Sequence, residues 1–355
     1  MFYREAGEFK TSYAADKAIL PIRQDRWGIM IILGFAFLVV PFIASEYYFS
    51  AILIPFLVLS LAAIGLNILT GYAGQLSLGS AAFMAVGAYA AYNFQLRLPE
   101  IPLLISFILS GGIAAAVGMV FGIPSLRIKG FYLAVATLAA QFFIEWLFTH
   151  VGWFFNNDAT GSISLPAMVV FGMELDTPMS RYLFTLSIVA VMALLAKNMV
   201  RSATGRAWMA VRDMDIAAEV IGIRMLNTKL LAFAVSSFYL GVAGALWAYA
   251  YLGTVEPQTF DLSRSFQILF MIIIGGVGSI LGSFIGAAFI VLLPILLNVS
   301  AHAILGDAFP SGLLSNLELI IFGGLIIFFL VVEPQGIARL WQIGKEKLRI
   351  WPFPH

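Results

Sequence analysis

The sequence predicts an all-α polytopic membrane protein with about ten transmembrane helices, on three observations. Hydrophobic residues make up 61% of the 355 positions and charged residues 11%, with a mean hydropathy of +0.96. Uncharged apolar runs of span length recur along the chain. The cationic residues gather in every second connection. A soluble domain carries about 25% charged residues, and a folded surface facing water cannot absorb so large an apolar excess. The composition therefore excludes a soluble enzyme and a disordered chain. The balance of 20 Lys and Arg against 19 Asp and Glu leaves no basic field for nucleic acid. Cysteine is absent, which removes disulfides, thiolate nucleophiles and Cys-bound metals. His150, His302 and His355 are too far apart in sequence to suggest a His-built metal site.

The first 26 residues contain Glu5, Glu8, Asp16 and Asp25 and lack an early apolar core. They do not read as a secretory signal and are expected to form a polar cytoplasmic tail, with a short helix lying on the membrane as the competing reading. A transmembrane domain is expected over 27–333 and a second cytoplasmic tail over 334–355. Runs of about 18 or more apolar residues are read as membrane helices. They fall near 27–45, 48–69, 76–95, 101–122, 131–152, 182–199, 229–253, 265–280, 281–299 and 314–333. No charge occurs between Glu46 and Arg97, so spans lie back to back there. The stretch 265–299, interrupted at Gly275-Gly276-Val277-Gly278-Ser279, reads either as two spans or as one span plus a re-entrant piece. The runs are too long and too continuous for β-barrel strands. With ten spans, 17 of the 20 Lys and Arg fall on the side that holds both ends, and Arg97, Arg181 and Arg264 fall on the other. The positive-inside rule then places both termini in the cytoplasm. The loop 153–181, the longest expected on the opposite side, is too short for a domain.

Catalytic signatures are missing. There is no phosphate-binding G-x-x-x-x-G-K-[ST]; the one Gly-Lys pair, Gly344-Lys345, is followed by Glu346. No zincin or nucleophile-elbow pattern occurs. Glu145 and Glu318 are the carboxylates inside expected spans. Each lies near a span end, where snorkelling or one interhelical hydrogen bond can hold it, although an intramembrane carboxylate always raises a functional question.

Two segments break their apolar runs with glycine. One runs from Asn67 to Ser80 through Gly71, Gly74, Gln75, Ser77 and Gly79; the other runs from Gly275 through Gly276, Gly278 and Ser279 to Ser283. Both contain glycines at close spacing followed by Gly-Ser. Broken backbone inside a bilayer is tolerated only within protein or beside a water-filled cavity. Paired interruptions in two halves of a transporter point to a substrate path, and a helix N-terminus there would suit a carboxylate. The competing reading for any single glycine is close helix packing. Asn67, Gln75 and Ser77, polar in a charge-free stretch, are the candidates for lining a path.

Between two spans, residues 202–224 are too polar to insert. Val211, Met214, Ala218, Ile221 and Met225 recur at steps of three and four and are expected to share one helical face, with Arg212, Asp215 and Glu219 on a polar side. Gly222 is placed to end the helix. Such a helix can pack on its own spans, lie on lipid or dock in a partner's groove; its mixed charges argue against a plain lipid-surface helix.

This stretch resembles the cytoplasmic coupling loop of ABC-importer permeases. The A-A-x-x-x-G part of that pattern is present as Ala217-Ala218-Glu219-Val220-Ile221-Gly222. Ile216 stands where the family carries an acid, with acids at Asp215 and Glu219 instead. The longer phrase from Gly205-Arg206-Ala207-Trp208 to Ile223 is similar to the branched-chain amino-acid permeases of the LivM type. So are Asn67 to Gly79, Leu126 to Leu138 and Ile274 to Ser279. The resemblance implies a type II-importer-like inner-membrane permease in bacteria, not itself an enzyme, importing branched-chain or related apolar amino acids. It implies a second homologous permease, two ATP-binding subunits that carry ATP and Mg, and a periplasmic substrate-binding protein, with no cofactor on this chain. Contact with the ATPase would fall in 201–228, on Gly205, Arg206, Arg212, Asp213, Asp215, Ala217, Ala218, Glu219 and Gly222. Relatives that carry urea or short amides and an ion-coupled secondary carrier are the competing transport readings. An intramembrane enzyme lacks a catalytic constellation.

Overall fold

The computed structural model describes residues 23–126, 132–156, 163–170, 172–305 and 336–350, with isolated positions between 320 and 331. The expected N-terminal tail up to residue 22, most of the expected span 314–333, Glu318, and residues 127–131 lie outside the described residues.

The chain is mostly helical. In order come α1 (Asp25–Ile43), α2 (Tyr48–Tyr72), α3 (Ser80–Arg97), α4 (Leu103–Leu126), α5 (Tyr132–His150) and α6 (Pro178–Arg201). A short pair follows, α7 (Ala203–Asp213) and α8 (Asp215–Val220), and then α9 (Met225–Leu252), α10 (Leu262–Gly275), α11 (Ile280–Leu305) and α12 (Gly336–Ile350). Among the described residues, seven of these are long and apolar enough to cross a membrane: α1, α2, α4, α5, α6, α9 and α11. Helix α10 has 14 residues, about 21 Å at 1.5 Å per residue, short of a hydrocarbon core of about 30 Å. Helices α10 and α11 form a tight antiparallel hairpin, in which a Cβ at Gly275 would lie 2.0 Å from the Gly282 carbonyl oxygen and one at Gly286 1.8 Å from that of Met271.

Helices α2 and α9 form the centre, and α1 lies at the periphery with almost none of its surface covered. Small residues make the central crossings. A Cβ at Gly87 of α3 would meet the Gly241 carbonyl oxygen of α9 at 2.0 Å, and one at Gly244 would meet that of Met84 at 1.9 Å. Backbones this close gain dispersion contacts along their length, the main attraction left between helices in lipid. Tyrosine hydroxyls tie the outer helices on in series: Tyr239 of α9 donates to the Met192 carbonyl of α6 at 2.9 Å, and Tyr182 of α6 to the Ala36 carbonyl of α1 at 3.0 Å. Helix α2 begins and ends in π-helical turns, Tyr48–Leu53 and Ile68–Tyr72. Pro55 follows the first and has no N–H to continue the ladder.

One end of the bundle is closed by short strands. β1 (Ile163–Ser164) pairs antiparallel with β4 (Thr254–Val255), Ile163 opposite Val255. β2 (Val169–Val170) pairs with β3 (Met173–Glu174). Arg97 lies nearby over the ring of Trp153, 3.7 Å from its centroid. The opposite end gathers the α2–α3 link, α7, α8, the α10–α11 turn and α12. There Lys345 of α12 pairs with Asp25 of α1, and a Cβ at Gly336 would lie 2.6 Å from the Gly276 nitrogen.

Candidate functional site

The two glycine-interrupted segments meet. Asn67, in the last α-helical turn of α2, is 1% exposed and spends its whole carboxamide on the α10–α11 turn. Its Oδ1 accepts from the Gly278 N–H at 2.8 Å. Its Nδ2 donates to the Ser279 carbonyl at 2.8 Å, to Ser283 Oγ at 3.0 Å and, at longer range, to the Gly276 carbonyl at 3.4 Å. The partners are more than 200 residues away in sequence. Gly276 and Gly278 both have positive φ, +127° and +79°, a backbone that a side chain disfavours. Gly71 allows the approach from the other side: a Cβ there would stand 2.0 Å from Asn67 Oδ1 and 2.4 Å from the Gly278 nitrogen.

The polar loop reaches the same junction. Arg212, in the last turn of α7, donates from Nη1 to the Gly71 carbonyl at 2.9 Å while its Nε binds Asp213 at 2.8 Å. Its aliphatic stem lies over Gly74, where φ is +68° and a Cβ would meet Arg212 Cγ at 2.8 Å. Beside it opens a polar cleft of about 340 Å³ lined by Ala73, Gly74, Gln75, Val211 to Asp215 and Lys229. Gln75 is 5% exposed, and its carboxamide has no hydrogen-bond partner among the described residues. Thr70 Oγ1 holds the Gln75 carbonyl at 3.1 Å, which turns the chain out of α2.

From Ser77 the chain runs into the bundle. Ser77 Oγ accepts from the Gly79 N–H at 3.4 Å, and Gly79 packs so tightly on α5 that a Cβ would lie 2.4 Å from the Thr137 carbonyl oxygen. The N-terminus of α3 is capped by other helices. Thr137 Oγ1 accepts from Leu78 N–H at 2.9 Å, Ser265 Oγ from Ala81 N–H at 2.8 Å, and Gln141 Oε1 from Ala82 N–H at 2.8 Å. Gln141, midway along α5, also donates to the Phe260 carbonyl at 2.7 Å, so the chain before α10 reaches half-way down the bundle. The α3 N-terminus expected to suit a carboxylate is therefore satisfied by side chains in this conformation. Thr137, Gln141, Ser265 and Ser283 were not among the sequence candidates; the one signal for them is a polar side chain inside an apolar run.

The loop corrects one expectation. Val211, Met214, Ala218, Ile221 and Met225 do not share a face, because the helix breaks at Met214, whose φ and ψ are −153° and 96°. Val211 and Ala218 are buried, whereas Met214, Ile216, Val220 and Ile221 are 70% to 82% exposed. Gly222 does terminate α8. With φ +90°, its N–H reaches the Glu219 carbonyl at 2.9 Å and the Ile223 N–H that of Ala218 at 3.0 Å, the paired bonds of a Schellman end. Gly205 forms the corner between α6 and α7, where a Cβ would lie 1.9 Å from the Val200 carbonyl oxygen. Trp208, fully buried, anchors α7 to α9 by donating to the Thr228 carbonyl at 3.1 Å. Arg206 donates to the Arg201 carbonyl at 2.9 Å. Asp213, Ala217 and Glu219 are exposed, and Asp215 is half-buried on the cleft.

Of the candidates outside the junction, Glu145 is half-buried on α5 between exposed Phe142, Phe143 and Trp146. His150 stacks on Trp146 at the end of α5, with ring centroids 5.0 Å apart. Among the described residues no group of three His, Cys, Asp or Glu could hold a metal.

Residues 48–330 match the family model described as the branched-chain amino acid transport system permease component. The high-affinity branched-chain amino acid transport system permease proteins LivM of Salmonella typhimurium and Escherichia coli are each 29% identical over 312 residues, covering 78% of this chain and 67% of theirs. A probable branched-chain amino acid transport permease protein LivM of Methanocaldococcus jannaschii is 22% identical over 242 residues, covering 66% of this chain and 68% of its own. No solved structure matches.

Proposed function

The chain belongs to the branched-chain amino acid permease family, and from that premise we propose that it is the bacterial inner-membrane permease subunit of an ABC importer for branched-chain or related apolar amino acids. In this reading it works beside a second homologous permease, takes substrate from a periplasmic binding protein, and is driven by two ATP-binding subunits that hold ATP and Mg. The absence of a phosphate-binding loop from the sequence is then expected, because the energy source is on other chains.

The observation that carries the reading is the α7–α8 loop. Met214, Ile216, Val220 and Ile221 present apolar side chains on a polar loop at the bundle end that collects the cationic connections. A helix pair of this kind suits a groove on a cytoplasmic partner, and 201–228 is the proposed ATPase contact. Arg206, Asp213, Asp215, Ala217 and Glu219 rim that surface. Gly205, Ala218 and Gly222 shape it from beneath, through the α6–α7 corner, burial and the Schellman end.

The remaining assignments follow the same frame. Ten spans over 27–333, counting α3, α10 and the segment 314–333, put both termini in the cytoplasm and keep the cationic loops inside. The proposed path runs along the two broken segments, with Asn67, Gly71, Gly74, Gln75, Ser77 and Gly79 on one and Gly275, Gly276, Gly278 and Ser279 on the other. Backbone away from regular helix at membrane depth belongs inside protein or beside a water-filled cavity.

The test is uptake of radiolabelled leucine into proteoliposomes holding the chain with its neighbouring permease and ATP-binding subunits, with the periplasmic binding protein added on one side and ATP supplied on the other. Uptake that requires ATP and the catalytic residue of the ATP-binding subunit supports the proposal. Uptake that persists without nucleotide and follows an ion gradient would mark a secondary carrier instead.

A further inference from the structure

Resting on the permease reading above, we propose that Arg212 is the positioning residue that couples the α7–α8 loop to both glycine breaks, so that movement of the loop is delivered to the proposed path through one side chain. The contacts form an unbroken series. Arg212 sits two residues before the exposed Met214, at the inner edge of the apolar strip. Its guanidinium holds the Gly71 carbonyl at 2.9 Å and its stem covers Gly74. The same Nη1 lies 3.5 Å from where a Cβ on Gly278 would be. Gly71 touches Asn67, and Asn67 clamps Gly278, Ser279 and Ser283.

The chemistry suits transmission. The bonded Gly71 carbonyl lies in the final π-helical turn of α2, Ile68–Tyr72, where helix-end carbonyls lack onward partners. A charged donor to such a carbonyl forms a stronger bond than a neutral one. Arginine alone combines a fixed fork with permanent charge, so it can hold Asp213 and Gly71 at once. The adjoining cleft of about 340 Å³ leaves space on one side, so the side chain can travel with the loop without clashing. The breaks themselves contain Gly74, Gly276 and Gly278 at positive φ, backbone that shifts without displacing side chains of its own.

The experiment uses the complete complex in proteoliposomes, comparing wild type with Arg212→Ala and Arg212→Lys. It reads ATP hydrolysis and leucine uptake in the same preparation. Arg212→Ala is expected to move at least about tenfold less leucine per ATP hydrolysed, a loss inside the range of site-to-site coupling. Arg212→Lys, which keeps the charge and loses the fork, is expected to fall between. A second readout exploits the cysteine-free sequence. Spin labels at Ala203→Cys, exposed at the start of α7 and outside the apolar strip, and at the exposed Val277→Cys are expected to respond to nucleotide in the wild-type background. In Arg212→Ala the label at 203 keeps its response and the label at 277 loses it.

Normal leucine per ATP in Arg212→Ala, or an unchanged response at 277, overturns the proposal. So does joint loss of assembly and hydrolysis, which would make Arg212 part of the ATPase contact alone. If the wild-type complex shows no ATP-dependent uptake, the permease reading fails first, and that outcome is visible before any variant is compared.

Discussion

Asn67 shows how a single side chain joins two distant parts of this bundle. Its amide satisfies the Gly278 N–H and adds a donor to the Gly276 and Ser279 carbonyls, which also accept from the Ser279 and Ser283 N–H groups. A buried group left unpaired costs about 1–3 kcal/mol. Asn67→Leu, similar in volume, strands the Gly278 N–H and is therefore expected to destabilise the protein by about 1–3 kcal/mol, seen as a lower unfolding temperature in detergent. Gly71→Ala is expected to do similar damage by overpacking, about 1–3 kcal/mol, because its methyl would occupy the place of Asn67 Oδ1. Unfolding of Gly71→Ala at the wild-type temperature would mean that α2 does not approach Gly278 this closely. The sequence singled out both positions, since Asn67 stands in a charge-free run and Gly71 in a glycine cluster. It could not pair them with Gly278, because contact across 211 residues leaves no local period. Thr137, Gln141 and Ser265 escaped for the same reason. A hydroxyl or amide in an apolar helix reads alike whether it caps a distant N-terminus or bonds its own preceding carbonyl, and only the fold separates the two.

At the scale of elements, the apolar runs were legible because a bilayer imposes length and hydropathy on each helix separately. Ends and breaks depend on neighbours and were less so. Helix α3 begins at Ser80 where Thr137, Gln141 and Ser265 of other helices accept the N–H groups of that end, whereas α10 starts on its own cap, Asp261, which accepts from the Arg264 N–H. Steps of three and four from Val211 to Met225 run straight through the break at Met214, so periodicity alone joined α7 and α8 into one helix. The break decides which side chains can touch a partner. Ala218 is 2% exposed, so Ala218→Asp would bury a carboxylate and report on packing rather than on docking. The surface is tested by Ile216→Glu, Val220→Glu and Ile221→Glu, singly and together. Hot spots at such contacts cost about 2 kcal/mol or more each. The triple variant is expected to lose co-purification with the ATP-binding subunits while its own unfolding temperature stays near wild type. Retained co-purification would move the contact elsewhere. Gly222→Ala, forced into φ +90°, is expected to fray the end of α8 at a cost of about 1 kcal/mol.

At the scale of the whole molecule, the contacts and the charges tell the same story about sides. Asp25 with Lys345, Arg212 with Gly71, and Gly336 against Gly276 bring widely spaced segments to one end. Arg97 with Trp153, and β1 with β4, close the other. The 17 cationic residues assigned inward by the positive-inside rule include all those at the first end. Single cysteines in this cysteine-free chain convert the arrangement into a measurement. A membrane-impermeant maleimide added to spheroplasts is expected to label Leu98→Cys and Met173→Cys, exposed near the strand-closed end, and to spare Met214→Cys until the membrane is broken. Val277→Cys is the discriminating position. Helix α10 is too short to span alone, but the chain before it descends half-way beside Gln141, and the ten-span arrangement proposed above has the segment from Glu256 to Gly275 cross as a composite. Val277 must then share the protection of Met214. Labelling of 277 from outside would instead make α10 a re-entrant leg, leave an odd number of crossings before α11, and separate the α10–α11 turn from the loop that Arg212 belongs to.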